Sequence, residues 1–376
     1  MMKTKKLTST LAAALLALAV HAQTDMTSAI VNPEFDGRSF AGWQQQGMQF
    51  QTNNSFSGKS LYAYVERWVI NTGNLPDTYI QQTISGLTPG RYTLTVAAQS
   101  IKQESSAAAT GAAIFADWQE TAVTTAADYS LTFDVLTGEV TIGFRCKNST
   151  ANWMACDNFR LTQVSTSVSY LRSGLSTLVN TANTLASQPM DATVKSALSS
   201  AITAAGRLTS NGTAANIKAA ATTLKNAMKV AERSIFATKT STTGSVPTVV
   251  TDTRYARGAT KIFGRSTINS SATILEQGFC YSTTSATPTV ADERTTRYVE
   301  NGGRIYCLDD LQPGTLYYIR AYAVTTDYRW AMATSSKSTR CRRATSGGCS
   351  TKAVPTNCNR PASRMQSWVW PTTGQT

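Results

Sequence analysis

The sequence contains one histidine, His21, and this residue lies in a segment that export would remove. Residues 1–22 run from three lysines through an apolar stretch to a small-residue cleavage site, which is typical of a secretory signal. The mature chain then has no imidazole, so it lacks the usual general base and the commonest zinc ligand. We therefore expect this protein to bind a partner and not to be an enzyme.

Long apolar runs are also absent. After residue 22, no stretch reaches the about 18 consecutive apolar residues that a membrane-spanning helix needs. No cysteine closely follows the predicted cleavage site, so we expect no lipid anchor. The prediction is a soluble bacterial protein without a transmembrane segment, secreted or located in the periplasm or at the cell surface. Its seven cysteines fit an oxidising compartment.

Acidic residues are missing from the last 48 positions, residues 329–376, which carry eight lysines and arginines. These eight residues and the three lysines of the signal account for most of the formal net charge of +13. The rest of the chain is nearly neutral, which argues against a nucleic-acid partner. The tail has no hydrophobic periodicity, so we expect residues 329–376 to be disordered.

Residues 23–165 are rich in threonine, valine and aromatic residues and alternate between apolar and polar positions. The alternation is clearest in residues 79–84 and 92–97, on either side of a Pro-Gly turn at 86–90. Such a pattern is typical of half-buried strands. Many short strands with Pro and Gly turns predict a jelly-roll β-sandwich over residues 23–165.

Residues 166–238 are almost free of aromatic side chains and repeat apolar residues at helical spacing. Pro189 ends the first of three stripes, Asp191 is placed to cap the second helix, and Thr213 is placed to cap the third. Short connections between three amphipathic stripes predict an antiparallel three-helix bundle. We see no chemistry on it.

A Thr/Ser/Gly/Pro linker leads into a second region of alternating residues, 246–328. Several strands are expected there, and the turn ending at Tyr317 is similar to a tyrosine corner, in which the phenol hydroxyl ties a loop to its strand. The mature chain of roughly 350 residues is thus predicted to be mainly β, with a jelly roll, a helical bundle and a smaller β-sandwich in that order.

Three motifs of the first region resemble galactose-binding-like jelly rolls, which occur as carbohydrate-binding modules in secreted bacterial proteins. They are Asn-Pro-Glu-Phe-Asp at 32–36 followed by Gly42-Trp43, Leu-Thr-Pro-Gly-Arg-Tyr at 87–92, and Asp-Asn-Phe-Arg-Leu at 157–161. The 246–328 region looks like the fibronectin type III modules of Bacteroides-type surface proteins, and the helices are similar to small spacer bundles. Together these resemblances imply a modular exported protein from a Bacteroidota bacterium.

Modules like the third usually finish with a strand that the sequence after Tyr328 lacks. Shifting the reading frame across Trp330 to Ala333 restores the expected pattern, so we hypothesise that residues 329–376 are read out of frame. A longer relative would then carry a further C-terminal domain, such as a hydrolase. Resequencing the locus tests this hypothesis, because an unbroken frame in the ancestral gene contradicts it.

The jelly-roll resemblance implies that aromatic rings stack on sugars while polar groups bind sugar hydroxyls. Trp43, in the Gly-Trp motif, is expected in the core. The candidate ligand-binding residues are Glu66, Arg67, Trp68, Tyr79, Trp118, Asn152 and Trp153. For each of them, packing or exposure at the rim is the alternative.

No cofactor is required, but jelly rolls of this kind often hold a structural calcium ion where the first strand meets the last. Glu34, Asp36 and Asp157 are the candidate ligands, since oxygen donors suit a hard cation. The alternative is that these carboxylates are solvated.

Two cysteine pairs are candidates for disulfides. Cys146 and Cys156 flank a short connection, and Cys280 and Cys307 lie within the third region. Buried free thiols are the alternative for both pairs. Neither pair has zinc-finger spacing.

The expected function is non-catalytic recognition of a glycan or another cell-surface component by the jelly roll, with the other domains acting as spacers. No motif pairs two carboxylates as in glycosidases, and no phosphate-binding loop is present. The alternatives are a structural or adhesive protein that contacts protein partners, and a truncated form of a longer secreted hydrolase.

Overall fold

The computed structural model describes residues 23–52, 56, 63–70, 73–252, 256–296 and 305–341. The predicted signal over residues 1–22 lies outside these residues. The described chain is mainly β with several sheets and three α-helices, which confirms the predicted composition of the fold.

The N-terminal unit is a sandwich of two antiparallel sheets. Its strands are β1 (Thr24–Asp25), β2 (Gln44–Gln46), β3 (Gln49–Gln51), β4 (Tyr64–Trp68), β5 (Thr78–Ser85), β6 (Gly90–Lys102), β7 (Ala107–Ala108), β8 (Ala112–Ala116), β9 (Gln119–Ala122), β10 (Ala127–Val135), β11 (Glu139–Cys146) and β12 (Trp153–Ser165). A short 3₁₀ helix, Thr27–Ala29, follows β1. The first sheet has the order β10-β6-β12-β4-β3, with β1 on β12 and β7 on β6, and the second has the order β2-β5-β11-β8-β9.

Close strand packing in the second sheet depends on a glycine. Gly143 lies on the central strand β11, opposite both Gln81 of β5 and Phe115 of β8. A Cβ atom at this position would lie 2.2 Å from the carbonyl oxygen of Ile80 and 2.8 Å from the Phe115 ring. Only glycine therefore allows the backbone to pack this closely.

Trp43 lies in the core between the sheets, as the sequence predicts. Its side chain is 1% exposed, and its ring packs against Phe35 and Phe159 at centroid distances of 5.2 and 4.6 Å. The indole Nε1 donates to the carbonyl oxygens of Val31, at 2.7 Å, and Asn32, at 3.1 Å. The Gly-Trp motif thus joins the segment before β2 to the last strand of the sandwich.

The helices are α1 (Val168–Ala186), α2 (Ala192–Gly206) and α3 (Ala214–Thr238), and their buried faces share one apolar core. The Asp191 carboxylate accepts from the backbone N–H groups of Thr193 and Val194, and the Thr213 hydroxyl accepts from that of Asn216. Both predicted caps are confirmed. Each satisfies backbone donors that the first helical turn leaves without a partner.

The helical bundle packs directly against the N-terminal sandwich. Lys225 of α3 lies 2.6 Å from the Asp117 carboxylate, and Trp118 donates its indole N–H to Glu232 at 2.7 Å. Leu136, just after β10, belongs to the apolar core of the bundle. The bundle is therefore packed against the sandwich, and its predicted role as a spacer stays a prediction.

The C-terminal unit also consists of two sheets. Its strands are β13 (Thr248–Thr251), β14 (Ala256–Arg257), β15 (Ile262–Asn269), β16 (Ile274–Ser282), β17 (Glu293–Thr295), β18 (Ile305–Leu308), β19 (Leu316–Thr325), β20 (Trp330–Met332) and β21 (Lys337–Arg340). One sheet joins β13, β14 and β18 to β15, and the other joins β17, β16, β19, β20 and β21. The Tyr317 hydroxyl accepts from the Gln312 backbone N–H at 3.0 Å, so the predicted tyrosine corner is confirmed. The fibronectin type III relationship stays a prediction.

The expectation of disorder is wrong for residues 329–341. Strands β20 and β21 both pair with β19, and Trp330 packs edge-on against Phe236 of α3 at 4.8 Å. Main-chain pairing and the aromatic contacts of the partly buried Trp330 ring hold this segment without hydrophobic periodicity. Residues 342–376 lie outside the described range, and the reading-frame hypothesis stays a prediction.

The predicted disulfides do not form. Cys146, Cys156 and Cys280 are buried free thiols. Cys307 is disulfide-bonded, but to none of the free cysteines Cys146, Cys156, Cys280 and Cys341. Burial raises the pKa of Cys146 to about 11, so this thiol stays protonated and unreactive at neutral pH.

Candidate functional site

The candidate site is the outer face of the first sheet, where β4 and β12 run side by side. Trp68 of β4 lies directly opposite Trp153 of β12 in the antiparallel register. Because alternate residues of a strand share a face, Glu66 lies on the same side of the sheet as both tryptophans. Three of the predicted ligand-binding residues therefore come together.

The Glu66 carboxylate organises this face. It is 4% exposed and accepts hydrogen bonds from the Trp153 indole N–H at 2.8 Å, from Gln49 at 3.0 Å and from Gln51 at 3.3 Å. Three donors balance the burial of the charged group. The bond from the indole N–H also fixes the orientation of the Trp153 ring. Glu66 is thus a positioning residue for the aromatic face.

The Trp68 ring is the exposed part of the face. Its side chain is 39% exposed, and its indole N–H donates to the Gln103 amide oxygen at 2.5 Å. Ile70, two residues further along, is 71% exposed. A large ring held by its polar edge, with its surface open to solvent, can stack on a flat apolar partner such as one face of a sugar ring.

Asn152 supports the face from below and does not line it. This residue is fully buried. Its amide oxygen accepts from the Gln103 backbone N–H at 2.8 Å, and its amide nitrogen donates to Glu104 at 2.6 Å. The predicted role in ligand contact is wrong, because the buried Asn152 amide binds Gln103 and Glu104 in the turn after β6.

The remaining predicted residues lie elsewhere. Arg67 points to the opposite face of β4 from Trp68 and donates to the Gly47 carbonyl oxygen at 3.3 Å. Trp118 is partly buried against the core of the helical bundle, away from the other two tryptophans, and its contact with a ligand stays a prediction. Tyr79 lies on β5, in the other sheet.

Sequence reasoning missed the polar and apolar neighbours of the two tryptophans. Gln49, Gln51 and Gln103 bind the site residues, and Tyr64 packs with Phe56 in a small apolar cluster beside Trp153. The alternation Tyr64-Val-Glu66-Arg-Trp68 was the available signal, since it puts three of these side chains on one face. The glutamines carried no such signal, because their register against β4 depends on pairing across the sheet.

The three predicted calcium ligands do not form a metal-binding group. Glu34 is paired with Arg160, and within the described part of the chain no three histidine, cysteine or acidic side chains are arranged to hold a metal ion. Asp157 is nevertheless unusual, because it is 2% exposed and its Oδ1 atom has no hydrogen-bond partner. Burial, reinforced by the charges of Asp36 and Glu34, raises the Asp157 pKa to about 7. Calcium binding stays a prediction.

None of the helices among the described residues is both long enough and apolar enough to cross a membrane.

No protein-family model matches this chain, and no curated protein does. Parts of it are similar to solved structures. The K1 adhesin domain of Lys-gingipain from Porphyromonas gingivalis is 16% identical, with 33% of this chain and 94% of that domain covered and a TM-score of 0.25. A family 35 carbohydrate-binding module from Clostridium thermocellum is 13% identical, with 34% and 95% covered and a TM-score of 0.24.

Enzymes are among the similar structures as well. A Stig cyclase from Fischerella sp. TAU is 13% identical, with 38% of this chain and 98% of the cyclase covered and a TM-score of 0.29. An enzymatically active tailspike domain from bacteriophage CBA120 is 18% identical with a TM-score of 0.24, and the match spans 21% of its length. Adhesins, a binding module and enzymes are all represented, so these likenesses select no function.

Proposed function

We propose that this chain is an exported, non-catalytic binding protein whose N-terminal jelly roll recognises glycan on the face formed by Glu66, Trp68 and Trp153. The observation that carries the proposal is the open Trp68 ring beside a second tryptophan whose orientation a buried carboxylate fixes. Aromatic rings provide stacking surface, while Gln49 and Gln103 supply amide groups for hydroxyls at its border.

Replacing Trp68 tests this function. Affinity electrophoresis through gels containing neutral polysaccharides, followed by a glycan array, should reveal retardation of the wild-type protein. Trp68→Ala removes the stacking surface, so we expect binding about 30-fold weaker or more, since truncating a tryptophan anchor costs about 2 kcal/mol or more. Trp68→Phe keeps an aromatic ring and should retain part of the affinity.

Ile70→Ala is the matched control, because Ile70 is also exposed, lies two residues away and offers no ring. Its binding should stay close to that of the wild type. Equal retardation of the wild type and Trp68→Ala by every polysaccharide would rule out this face as the site.

Trp118→Ala separates packing from recognition. Loss of the indole contact with Glu232 and the bundle core should lower the free energy of unfolding by about 1–3 kcal/mol, without changing polysaccharide retardation. Trp68→Ala should weaken polysaccharide retardation and leave the free energy of unfolding nearly unchanged. Urea unfolding measured on both variants checks the pair, and a loss of sugar binding in folded Trp118→Ala would return Trp118 to the site.

Two observations support the proposal that this protein is not catalytic. Between residues 22 and 376 the sequence has no histidine, and the Glu66 carboxylate is occupied by three donors. We expect no release of reducing ends when the purified protein is incubated with any polysaccharide that retards it. Turnover by the wild-type protein that disappears in Glu66→Gln would contradict the proposal.

A further inference from the structure

A groove separates the second sheet of the jelly roll from the C-terminal sandwich. It consists of two adjoining cavities of about 420 and 710 Å³. Tyr79, Gln81 and Thr296 line both cavities, so the two form one continuous groove. Each volume lies within the roughly 300–1,000 Å³ of small-molecule sites, which often occur at domain interfaces.

Both walls of this groove contribute uncharged polar side chains, amides from one side and phenols from the other. Gln44, Gln46 and Gln81 come from the jelly roll, and Tyr281 and Tyr317 come from the other wall. Each amide offers both a donor and an acceptor. The Gln46 Oε1 atom is buried behind this wall and has no hydrogen-bond partner among the described residues.

Charges of both signs line the groove in nearly equal number, four basic and five acidic side chains, and some of them form ion pairs. Arg145 lies 2.8 Å from Glu120, Arg294 lies 3.3 Å from Glu276, and Glu293 lies 2.7 Å from Arg233. No single sign is left to attract a strongly charged ligand. Burial keeps the pKa of the Tyr281 phenol well above its usual range, so its hydroxyl remains a neutral donor.

We propose that this groove is a second binding site, specific for a neutral oligosaccharide. Paired amides and phenol groups match hydroxyl groups, which both donate and accept, and the partly exposed ring of Tyr79 offers apolar surface. The groove lies on the opposite side of the jelly roll from Trp68, so a glycan chain held at one site does not occupy the other. The inference shares its ligand class with the proposed function but rests on different residues.

Filling the groove tests the proposal. Gln81→Trp puts a large ring where the two cavities meet. The matched control is Thr83→Trp, which introduces the same ring two residues along β5, on the same face and at an exposed position outside both cavities. Thr296→Trp fills the groove from the opposite wall. Thermal unfolding of each variant establishes that it is folded.

Saturation-transfer NMR with maltotetraose, cellotetraose and laminaritetraose at millimolar concentration measures binding in the full chain. The measurement is made in the Trp68→Ala background, which removes the other site. We expect one of these sugars to bind, with affinity at least tenfold weaker in Gln81→Trp and in Thr296→Trp and unchanged in Thr83→Trp. An anionic tetragalacturonate should bind more weakly than the neutral sugar.

The outcomes distinguish the two sites. Binding that Trp68→Ala abolishes and Gln81→Trp leaves intact would overturn the groove and leave the proposed function standing. Binding lost only in the groove variants would support the groove and count against the aromatic face. Absence of transfer from all three tetrasaccharides in the Trp68→Ala background, or equal binding by Gln81→Trp and Thr83→Trp, would overturn the groove.

Discussion

Asp157→Asn is expected to raise the free energy of unfolding at pH 8 by up to about 4 kcal/mol, since one pKa unit corresponds to about 1.4 kcal/mol. The folded-state pKa of Asp157 is about 7, against about 3.9 in an unfolded chain. The folded protein therefore binds the proton more tightly than the unfolded chain does. This contribution to stability is fully present below pH 4 and is lost as the pH rises to about 7. Asparagine resembles the protonated acid at every pH.

Urea unfolding between pH 4 and pH 8 measures this effect. The advantage of Asp157→Asn should be near zero at pH 4 and grow up to about pH 7. Asp128→Asn is the control, because Asp128 is exposed on β10 and its substitution should change stability by less than about 0.5 kcal/mol. An advantage for Asp157→Asn that does not vary with pH would contradict the argument.

The Asp157→Asn variant also tests the predicted calcium site. If Asp157 takes part in a calcium site with Glu34 or Asp36, millimolar calcium should stabilise the wild type at pH 8 and leave Asp157→Asn unchanged. Equal melting temperatures of the wild type with calcium and with a chelator would contradict the calcium prediction.

Trp43→Ala should lower the free energy of unfolding by about 3–5 kcal/mol, the range typical of large-to-small changes in a packed core. The variant leaves a cavity against Phe35 and Phe159 and removes the indole donor from two backbone carbonyls. Trp43→Phe keeps most of the ring and loses only the donor, so its loss should be about 1–2 kcal/mol. Chemical unfolding at pH 5 measures both, and equal losses in the two variants would show that packing contributes little.

Local features of the sequence predicted local features of the structure. Asp191 and Thr213 cap their helices because the cap and its acceptor-donor partners lie within three residues of each other. The Tyr317 corner depends on a turn of similar length. The burial of Trp43 was predictable because the residue belongs to the Gly-Trp motif and carries a large apolar ring.

Long-range contacts could not be predicted in the same way. Trp118 meets Glu232 across more than 100 residues of sequence, and no pattern near Trp118 separates a ligand contact from a domain contact. The short strands β20 and β21 contain too few residues to show a period, and their pairing with β19 is what orders them. Cys280 and Cys307 looked alike in the sequence, but only Cys307 forms a disulfide.

The helical bundle also contacts the C-terminal sandwich, where Arg233 reaches Glu293 and Arg294 lies over the Phe236 ring at 3.8 Å. Helix α3 thus touches one β unit through Lys225 and the other through Phe236 and Arg233. In solution the three units should tumble together with one rotational correlation time. The face formed by Glu66, Trp68 and Trp153 would then keep a fixed orientation relative to the C-terminal sandwich, because α3 contacts both β units.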